Sequence, residues 1–209
     1  MTTRIKICGI TNVEDALKAC ELGADAIGFI FAESPRQVSL EEAADIADQL
    51  PPFVKTVGVF TSENPRVAAV ADWVPLDLIQ LHGDQTEQFA EWLGQDRVLR
   101  GVRIKDEKSL DWLKKWERGT GYVLDTWAKS KKGGTGDTFD WNLALRAKEF
   151  GKPIVLAGGL TPENVAEAIR IVRPYAVDVS SGVEAFRGKK DHAKMKEFID
   201  HVRAADATA

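Results

Sequence analysis

The 209-residue sequence has few of the residues that build disulfide frameworks or metal centres. Its two cysteines, Cys8 and Cys20, are too few for a disulfide framework and are typical of a protein in a reducing compartment. The three histidines are scattered, and the sequence contains no Cys-x-x-Cys and no His-x-x-x-His pair. Since zinc motifs need such pairs, we expect neither a metal nor another cofactor.

The sequence also lacks an apolar run of membrane-spanning length, and no apolar signal region follows its start. We therefore expect a cytoplasmic protein that does not associate with membranes. The net charge is −4, so no general electrostatic attraction to nucleic acid is expected. An anionic ligand would have to be held by local groups.

Glycine-rich nucleotide-binding motifs are missing as well. No Gly-x-x-x-x-Gly-Lys-Ser/Thr occurs, and Gly134-Thr135-Gly136 follows a long loop with no third glycine in phase. The sequence instead shows apolar runs that alternate eight times with segments of helical spacing. Strands are predicted at 4–8, 24–31, 53–60, 77–81, 98–103, 121–125, 153–157 and 175–179, and helices at 13–22, 39–50, 65–73, 85–93, 107–116, 141–150, 162–172 and 191–203.

Eight strand–helix units without a linker or a composition shift predict one α/β domain over residues 1–209, a single (β/α)8 TIM barrel. Residues 204–209 are expected to fray. Thr11 with Glu14, and Ser39 with Glu42, have the spacing of capping boxes at helix starts.

The first strand places Ile5 and Ile7 on one face, and Lys6 and Cys8 on the other. The Cys8 thiol would then lie at the carboxyl end of a strand, just before a helix amino terminus, where backbone N–H groups and the helix dipole favour a thiolate. The alternative is a small buried hydrophobic residue, which is how a free cysteine in an apolar strand commonly serves.

Other candidates lie at the carboxyl ends of the predicted strands, where such barrels carry their active sites. Arg36 could offer a planar fork to a carboxylate, or be a solvated surface residue. Asp125 ends an apolar strand, where a partly desolvated carboxyl group can stay protonated and donate a proton; a cap or salt bridge is the alternative. Gln80 and His82 could line the pocket, although His82 could equally bond a loop carbonyl.

The last two strand ends are rich in glycine and serine, as in barrel sites that bind phosphate through backbone amides. The predicted phosphate-binding residues are Gly158, Gly159, Asp178, Ser180, Ser181 and Gly182. The alternative is that these segments are ordinary turns. The prediction implies a phosphorylated small-molecule ligand.

Seven motifs in order along the chain resemble those of phosphoribosylanthranilate isomerases of tryptophan biosynthesis. They are Lys-Ile-Cys-Gly-Ile-Thr at 6–11, Gly-Phe-Ile-Phe at 28–31, Ser-Pro-Arg at 34–36, Gln-Leu-His-Gly at 80–83, Val-Leu-Asp-Thr at 123–126, Gly-Gly-Thr-Gly-Asp-Thr-Phe-Asp-Trp at 133–141 and Asp-Val-Ser-Ser-Gly-Val-Glu at 178–184. The resemblance spans nearly the whole chain.

The resemblance implies an Amadori rearrangement of N-(5-phosphoribosyl)anthranilate, a phosphorylated carboxylate. Asp125 would be the general acid that opens the ribose ring, Cys8 the general base at the sugar C2, and Arg36 the partner of the anthranilate carboxylate. The loop with Gly133, Gly134, Thr135 and Gly136 would fold over the substrate.

Three alternatives remain at this point. The related histidine-pathway isomerase performs the same rearrangement, but a carboxylate ends its first strand where this chain has Cys8. Indole-glycerol-phosphate synthase needs lysines at strand ends, which are absent here. A barrel that binds a phosphorylated ligand without turnover would need no acid–base pair. We expect a monomer or a homodimer.

Overall fold

The computed structural model describes residues 2–126 and 140–208. Eight parallel strands, hydrogen-bonded in chain order with the last beside the first, close into a barrel. They are β1 Arg4–Cys8, β2 Ala26–Ile30, β3 Lys55–Phe60, β4 Leu78–Leu81, β5 Val98–Ile104, β6 Gly121–Thr126, β7 Ile154–Leu156 and β8 Ala176–Val179. The predicted (β/α)8 TIM barrel is confirmed.

Helices follow the strands on the outside of the barrel. They are α1 Val13–Leu22, α2 Leu40–Asp48, α3 Arg66–Trp73, α4 Glu87–Trp92, α5 Leu110–Lys115, α6 Trp141–Ala147, α7 Pro162–Val172 and α8 His192–Ala207. Short 3-10 turns at Glu107–Ser109 and Lys148–Phe150 form the start of the predicted fifth helix and the end of the predicted sixth.

Strand alternation separates two apolar layers. Ile5 and Ile7 of β1 are fully buried between the barrel and the helices, within the main hydrophobic core. A smaller cluster fills part of the barrel interior and consists of Val57, Leu99, Val123, Val155, Ala157 and Ala176. The inner faces of β1, β4 and β8 also carry the buried polar residues Lys6, Gln80 and Asp178. Polar groups therefore lie inside the barrel, and the face of β1 that carries Lys6 and Cys8 is the inner one.

The start of α1 differs from the prediction. Asn12 is the N-cap, and its side chain accepts a hydrogen bond from Asp15 N at 2.9 Å. The predicted box of Thr11 with Glu14 is wrong because the Thr11 hydroxyl instead donates to Gly188 O at 2.5 Å. The predicted box of Ser39 with Glu42 at the start of α2 is confirmed.

The last helix ends later than predicted. α8 continues to Ala207 because Ala205 is buried and the Asp206 carboxylate accepts hydrogen bonds from both Thr3 N and Thr3 Oγ1, at 2.9 and 2.6 Å. The segment predicted to fray from residue 204 is therefore helical over most of its length.

A small hairpin between β8 and α8 was not predicted. It consists of β9 Glu184–Phe186 and β10 Lys189–Lys190, paired antiparallel. Asp15 of α1 fastens it, since its carboxylate accepts from Lys190 N at 2.9 Å and pairs with Lys189 Nζ at 2.9 Å. The hairpin thereby brings Glu184 and Lys190 to the carboxyl end of the barrel.

Candidate active site

Cys8 is the last residue of β1 and lies opposite Gly28 of β2 in the strand register. Only 8% of Cys8 is exposed. Burial raises the pKa of the Cys8 thiol, the Lys6 ammonium acts to lower that pKa, and the Asp178 carboxylate raises it. The net shift of the Cys8 pKa is upward, because burial outweighs the nearby ammonium. The sequence attributed an activation of Cys8 to a helix amino terminus, whereas in the structure the group beside Cys8 that favours the thiolate is Lys6.

Asp178 lies inside the barrel as the partner of Lys6. The Lys6 Nζ to Asp178 Oδ2 distance is 2.8 Å, and both side chains are almost fully buried. Burial acts to lower the pKa of Lys6, but the Asp178 carboxylate and Cys8 outweigh it, so the net shift of the Lys6 pKa is upward. The predicted phosphate-binding role does not suit the Asp178 side chain, because a carboxylate repels a phosphate and this one is bound to an ammonium.

Arg36 is held by a carboxylate that the sequence did not connect with it. Its Nε and a terminal guanidinium nitrogen donate to the two oxygens of Glu184 at 2.6 and 2.7 Å, a bidentate geometry. Lys190 Nζ shares Glu184 Oε1 at 3.3 Å and donates to Ser180 O at 3.0 Å. Burial acts to raise the pKa of Glu184, but the hydrogen bond from Arg36 and the charge of Lys190 hold that pKa below its ordinary value. The guanidinium plane is therefore fixed before any ligand binds.

Asp125 lies near the end of β6 on the same strand face as Val123, as predicted. His82 Nε2 lies 3.1 Å from Asp125 Oδ2, and His82 Nδ1 lies 2.9 Å from Gln80 Nε2. The Asp125 side chain keeps 31% of its surface exposed, so it is partly desolvated. Gln80 and His82 thus orient Asp125, and the three polar side chains form one hydrogen-bonded row along β4 and β6.

The glycines after β7 and β8 allow loops to approach each other closely. Gly158 and Gly159 have left-handed φ angles of +76° and +68°. A Cβ at Gly158 would lie 2.5 Å from Asp125 Oδ1, and one at Gly182 would lie 2.0 Å from Leu160 O. The two predicted phosphate loops are therefore in contact with each other, and the first of them abuts the proposed acid.

Gly9 makes a similar junction at the other side of the site. A Cβ there would lie 2.7 Å from Arg36 Cδ and 3.0 Å from Ser180 Oγ. The end of β1, the loop after β2 and the loop after β8 thus meet beside Cys8. The predicted residues of the 133–136 loop, Gly133, Gly134, Thr135 and Gly136, lie outside the described residues.

The structure adds Lys6, Glu184 and Lys190 to the predicted site. Lys6 shared a face with Cys8 in the sequence pattern, which was a usable signal. Glu184 and Lys190 are separated from Arg36 by most of the chain, so no local pattern connects them. Over residues 2–126 and 140–208, no group of three His, Cys, Asp or Glu residues is placed to hold a metal ion. None of the described helices is long and apolar enough to cross a membrane.

Gly28 is a direct test of how closely the thiol is packed. A Cβ at this position would lie 2.9 Å from Cys8 Sγ and 3.1 Å from Cys8 Cα. We expect Gly28→Ala to fold with a loss of about 1–3 kcal/mol in stability, because the added methyl group overpacks the interior. If Cys8 is the predicted general base, displacement of its thiol should lower kcat about tenfold.

Chemical denaturation and steady-state kinetics would measure the two effects of Gly28→Ala. Ala168→Gly, in the outer core on α7, is a control of similar size that changes stability but leaves the site intact. Unchanged stability in Gly28→Ala would contradict the close packing of the thiol against β2, and wild-type kcat would contradict a role of the thiol in turnover.

Comparison with known proteins identifies the family. The family model described as N-(5'phosphoribosyl)anthranilate (PRA) isomerase matches residues 5–201. A curated N-(5'-phosphoribosyl)anthranilate isomerase of Geotalea uraniireducens is 52% identical over 203 residues, covering 96% of this chain and 98% of that protein. Its counterpart in Pseudomonas fluorescens is 51% identical over 204 residues, covering 96% and 98%.

Solved structures agree with the sequence comparison. Phosphoribosyl anthranilate isomerase from Thermotoga maritima is 45% identical, with a TM-score of 0.91 over 97% of this chain and 100% of that chain. A second structure, 43% identical with a TM-score of 0.87 over 97% and 100%, is a complex with reduced 1-(o-carboxyphenylamino)-1-deoxyribulose 5-phosphate. A third, 42% identical with a TM-score of 0.87 over 97% and 100%, contains monomers generated from the dimeric Thermotoga maritima enzyme. The chain therefore belongs to the family of N-(5'-phosphoribosyl)anthranilate isomerases.

Proposed function

We propose that this isomerase converts N-(5'-phosphoribosyl)anthranilate into 1-(2-carboxyphenylamino)-1-deoxyribulose 5-phosphate, with Cys8 as the general base and Asp125 as the general acid. The observation that carries the proposal is that Cys8 and Asp125 lie at the carboxyl ends of their strands on inner faces of one barrel, each beside groups suited to bind an anion. Family membership supports the substrate.

The reaction begins with the transfer of a proton from Asp125 to the ribose ring oxygen. The C1–O bond breaks, and the nitrogen lone pair forms an iminium with C1. The Cys8 thiolate then removes the C2 proton, and the electrons of that bond form the C1–C2 double bond of an enolamine. The Cys8 thiol then returns its proton to C1, the Asp125 carboxylate takes the proton of the C2 hydroxyl, and C2 becomes the ketone, so that both groups return to their starting forms.

The position of the row of Gln80, His82 and Asp125 suits the acid role. If the Gln80 amide donates to His82 Nδ1, then His82 Nε2 carries a proton and donates to the Asp125 carboxylate. If the Gln80 amide oxygen instead accepts from His82 Nδ1–H, then His82 Nε2 is unprotonated and accepts a hydrogen bond from the O–H of a neutral Asp125. Side-chain reorientation can therefore accompany the change in protonation that a general acid undergoes.

Two anion clamps would fix the substrate between acid and base. Arg36 has guanidinium N–H groups beyond the two that Glu184 accepts, and these can bind the anthranilate carboxylate. Backbone amides around Gly158, Gly159, Ser180, Ser181 and Gly182 would bind the phosphate, because the two loops meet there with little side-chain bulk.

Mixing the wild-type protein with N-(5'-phosphoribosyl)anthranilate tests the proposal. Anthranilate fluorescence should change over many turnovers per protein molecule, with the deoxyribulose phosphate as the product in mass spectrometry. A change limited to one equivalent of protein would indicate a binding barrel without turnover. Faster conversion of the histidine-pathway substrate would indicate the related isomerase instead.

Glu184 should matter for substrate binding more than for chemistry. Glu184→Gln removes the carboxylate charge that holds the Arg36 guanidinium, so the guanidinium loses its fixed orientation. We expect KM to rise roughly tenfold while kcat changes less, since the lost interaction acts on a non-reacting part of the substrate. Steady-state kinetics would measure both constants, with Glu197→Gln on the exposed face of α8 as the matched control. An unchanged KM would contradict the role of Arg36 in binding the anthranilate carboxylate.

A further inference from the structure

A buried ion pair inside the barrel is not used by the acid–base steps above. Lys6 and Asp178 face each other in the register of β1 and β8, with Lys6 Nζ 2.8 Å from Asp178 Oδ2. Their side chains are only 5% and 8% exposed. Burying two charges carries a large desolvation cost that their attraction often fails to recover. A pair of this kind adds little to the free energy of unfolding, so stability does not account for these two charges inside the barrel.

The Lys6–Asp178 pair lies directly next to Cys8, the proposed base. Lys6 precedes Cys8 by two residues on the same inner face of β1. A Cβ at Gly28 would lie 2.9 Å from Cys8 Sγ and 3.1 Å from Lys6 Cε, so the thiol and the end of the lysine stem border the same small space. The absence of a side chain at Gly28 lets the two approach each other.

The charges around Cys8 come from five elements of the fold. Lys6 lies on β1, Asp178 on β8, Arg36 in the loop after β2, Glu184 on β9 and Lys190 on β10. Within residues 2–126 and 140–208, these are three cations and two carboxylates. The positive charges act to lower the pKa of Cys8, whereas burial acts to raise it and determines the net upward shift. Removing one of these charges should therefore move the titration of Cys8.

We propose that the Lys6–Asp178 pair sets the ionisation of Cys8, with Lys6 favouring the thiolate and Asp178 limiting that effect. Both are positioning residues that act through the sulfur. The inference rests on the proposed role of Cys8 as base. Lys6 supplies an attractive charge to the thiolate, and Asp178 keeps the ammonium in place while it partly offsets that charge.

Replacing Lys6 and replacing Asp178 should shift the titration of Cys8 in opposite directions. Burial raises the pKa of Cys8, while Lys6 and Lys190 lower it and Asp178 raises it. Replacing Lys6 by methionine removes a lowering charge, so the thiol should titrate about one to three pH units higher. Replacing Asp178 by asparagine removes a raising charge, so the thiol should titrate at lower pH. A purely structural pair would not shift the two variants in opposite directions.

Thiol titration of the free protein measures these shifts. The ultraviolet absorbance of the thiolate, and the rate of alkylation by iodoacetamide, would be followed against pH for Lys6→Met and Asp178→Asn. Both variants would carry Cys20→Ser, because burial raises the pKa of Cys20 to about 11 and its signal would overlap. Opposite shifts support the proposal, and the pH profile of kcat/KM should move in the same directions. A shift of the Cys8 titration in the same direction in both variants, or no shift in either, would overturn the proposal.

A measurement on the unmutated pair keeps the proposal testable if either variant fails to fold. In protein labelled with carbon-13 lysine, the Lys6 Cε resonance, assigned through Lys6→Arg, should show an inflection at the pH where Cys8 ionises. That inflection should vanish in Cys8→Ser. A Lys6 resonance that does not respond to Cys8 would overturn the proposal. Neither titration uses substrate, so failure here is distinct from failure of the proposed reaction.

Discussion

Cys8→Ala is expected to lower kcat roughly a hundredfold to ten-thousandfold, the range that general acid–base catalysis supplies. The methyl group of alanine cannot take the C2 proton, so the iminium would form but would not proceed to the enolamine. Binding of the reduced product analogue should stay close to that of the wild type, because Arg36 and the phosphate loops are unchanged. Steady-state kinetics and fluorescence titration with the analogue would measure the two effects.

Cys20→Ala is the matched control for Cys8→Ala. Cys20 is half-buried on α1, outside the barrel, and the same change there removes a sulfur without touching the site. Its kcat should be that of the wild type. If Cys8→Ala instead lost analogue binding while its bound substrate still reacted at the normal rate, Cys8 would be a contact residue and not the base.

Asp125→Asn is expected to lower kcat by a similar factor, about a hundredfold or more. An amide is close to a carboxyl group in size but cannot deliver a proton to the ring oxygen at neutral pH. The step that should slow is ring opening, which comes before proton removal at C2. A substrate supplied in its ring-opened form would therefore bypass the defect in Asp125→Asn but not the one in Cys8→Ala.

The control for Asp125→Asn is Asp200→Asn, which breaks only the exposed pair with Lys196 on α8. It should alter neither kinetics nor stability measurably, since exposed pairs contribute about 0–1 kcal/mol. Rapid-mixing kinetics with a single turnover would locate the slow step. Wild-type turnover in Asp125→Asn would remove the carboxyl group from the mechanism and leave His82 as the candidate acid.

The sequence predicted the barrel because its signals are local. Each buried parallel strand is a short apolar run, each helix has its own spacing, and eight repeats leave few other architectures. Local ambiguity also explains the errors at helix ends. Thr11 and Asn12 are both good N-caps, and the choice between them depends on Gly188, which comes from the far end of the chain.

From the sequence, the site could be predicted only as a set of residues at or near the carboxyl ends of the strands. Cys8, Arg36, Gln80, His82 and Asp125 could be placed there from position alone. Their partners could not be foreseen where the contact joins distant segments, as for Arg36 with Glu184 and Lys6 with Asp178. Strand parity predicted that Lys6 shares a face with Cys8, but neither that this face is inward nor which carboxylate lies opposite Lys6. The pairing follows from closure of the barrel, which brings β8 beside β1.

The polar lining of the barrel limits how this protein could be made more resistant to heat. Hydrocarbon replacements for Lys6 and Asp178 would relieve a desolvation cost, and such exchanges often stabilise proteins. They would also remove the charges beside the sulfur, so an engineer would gain robustness and lose turnover. Stabilising substitutions that preserve catalysis are therefore expected among the outer helices, where the packing is already apolar and the proposed acid and base are distant.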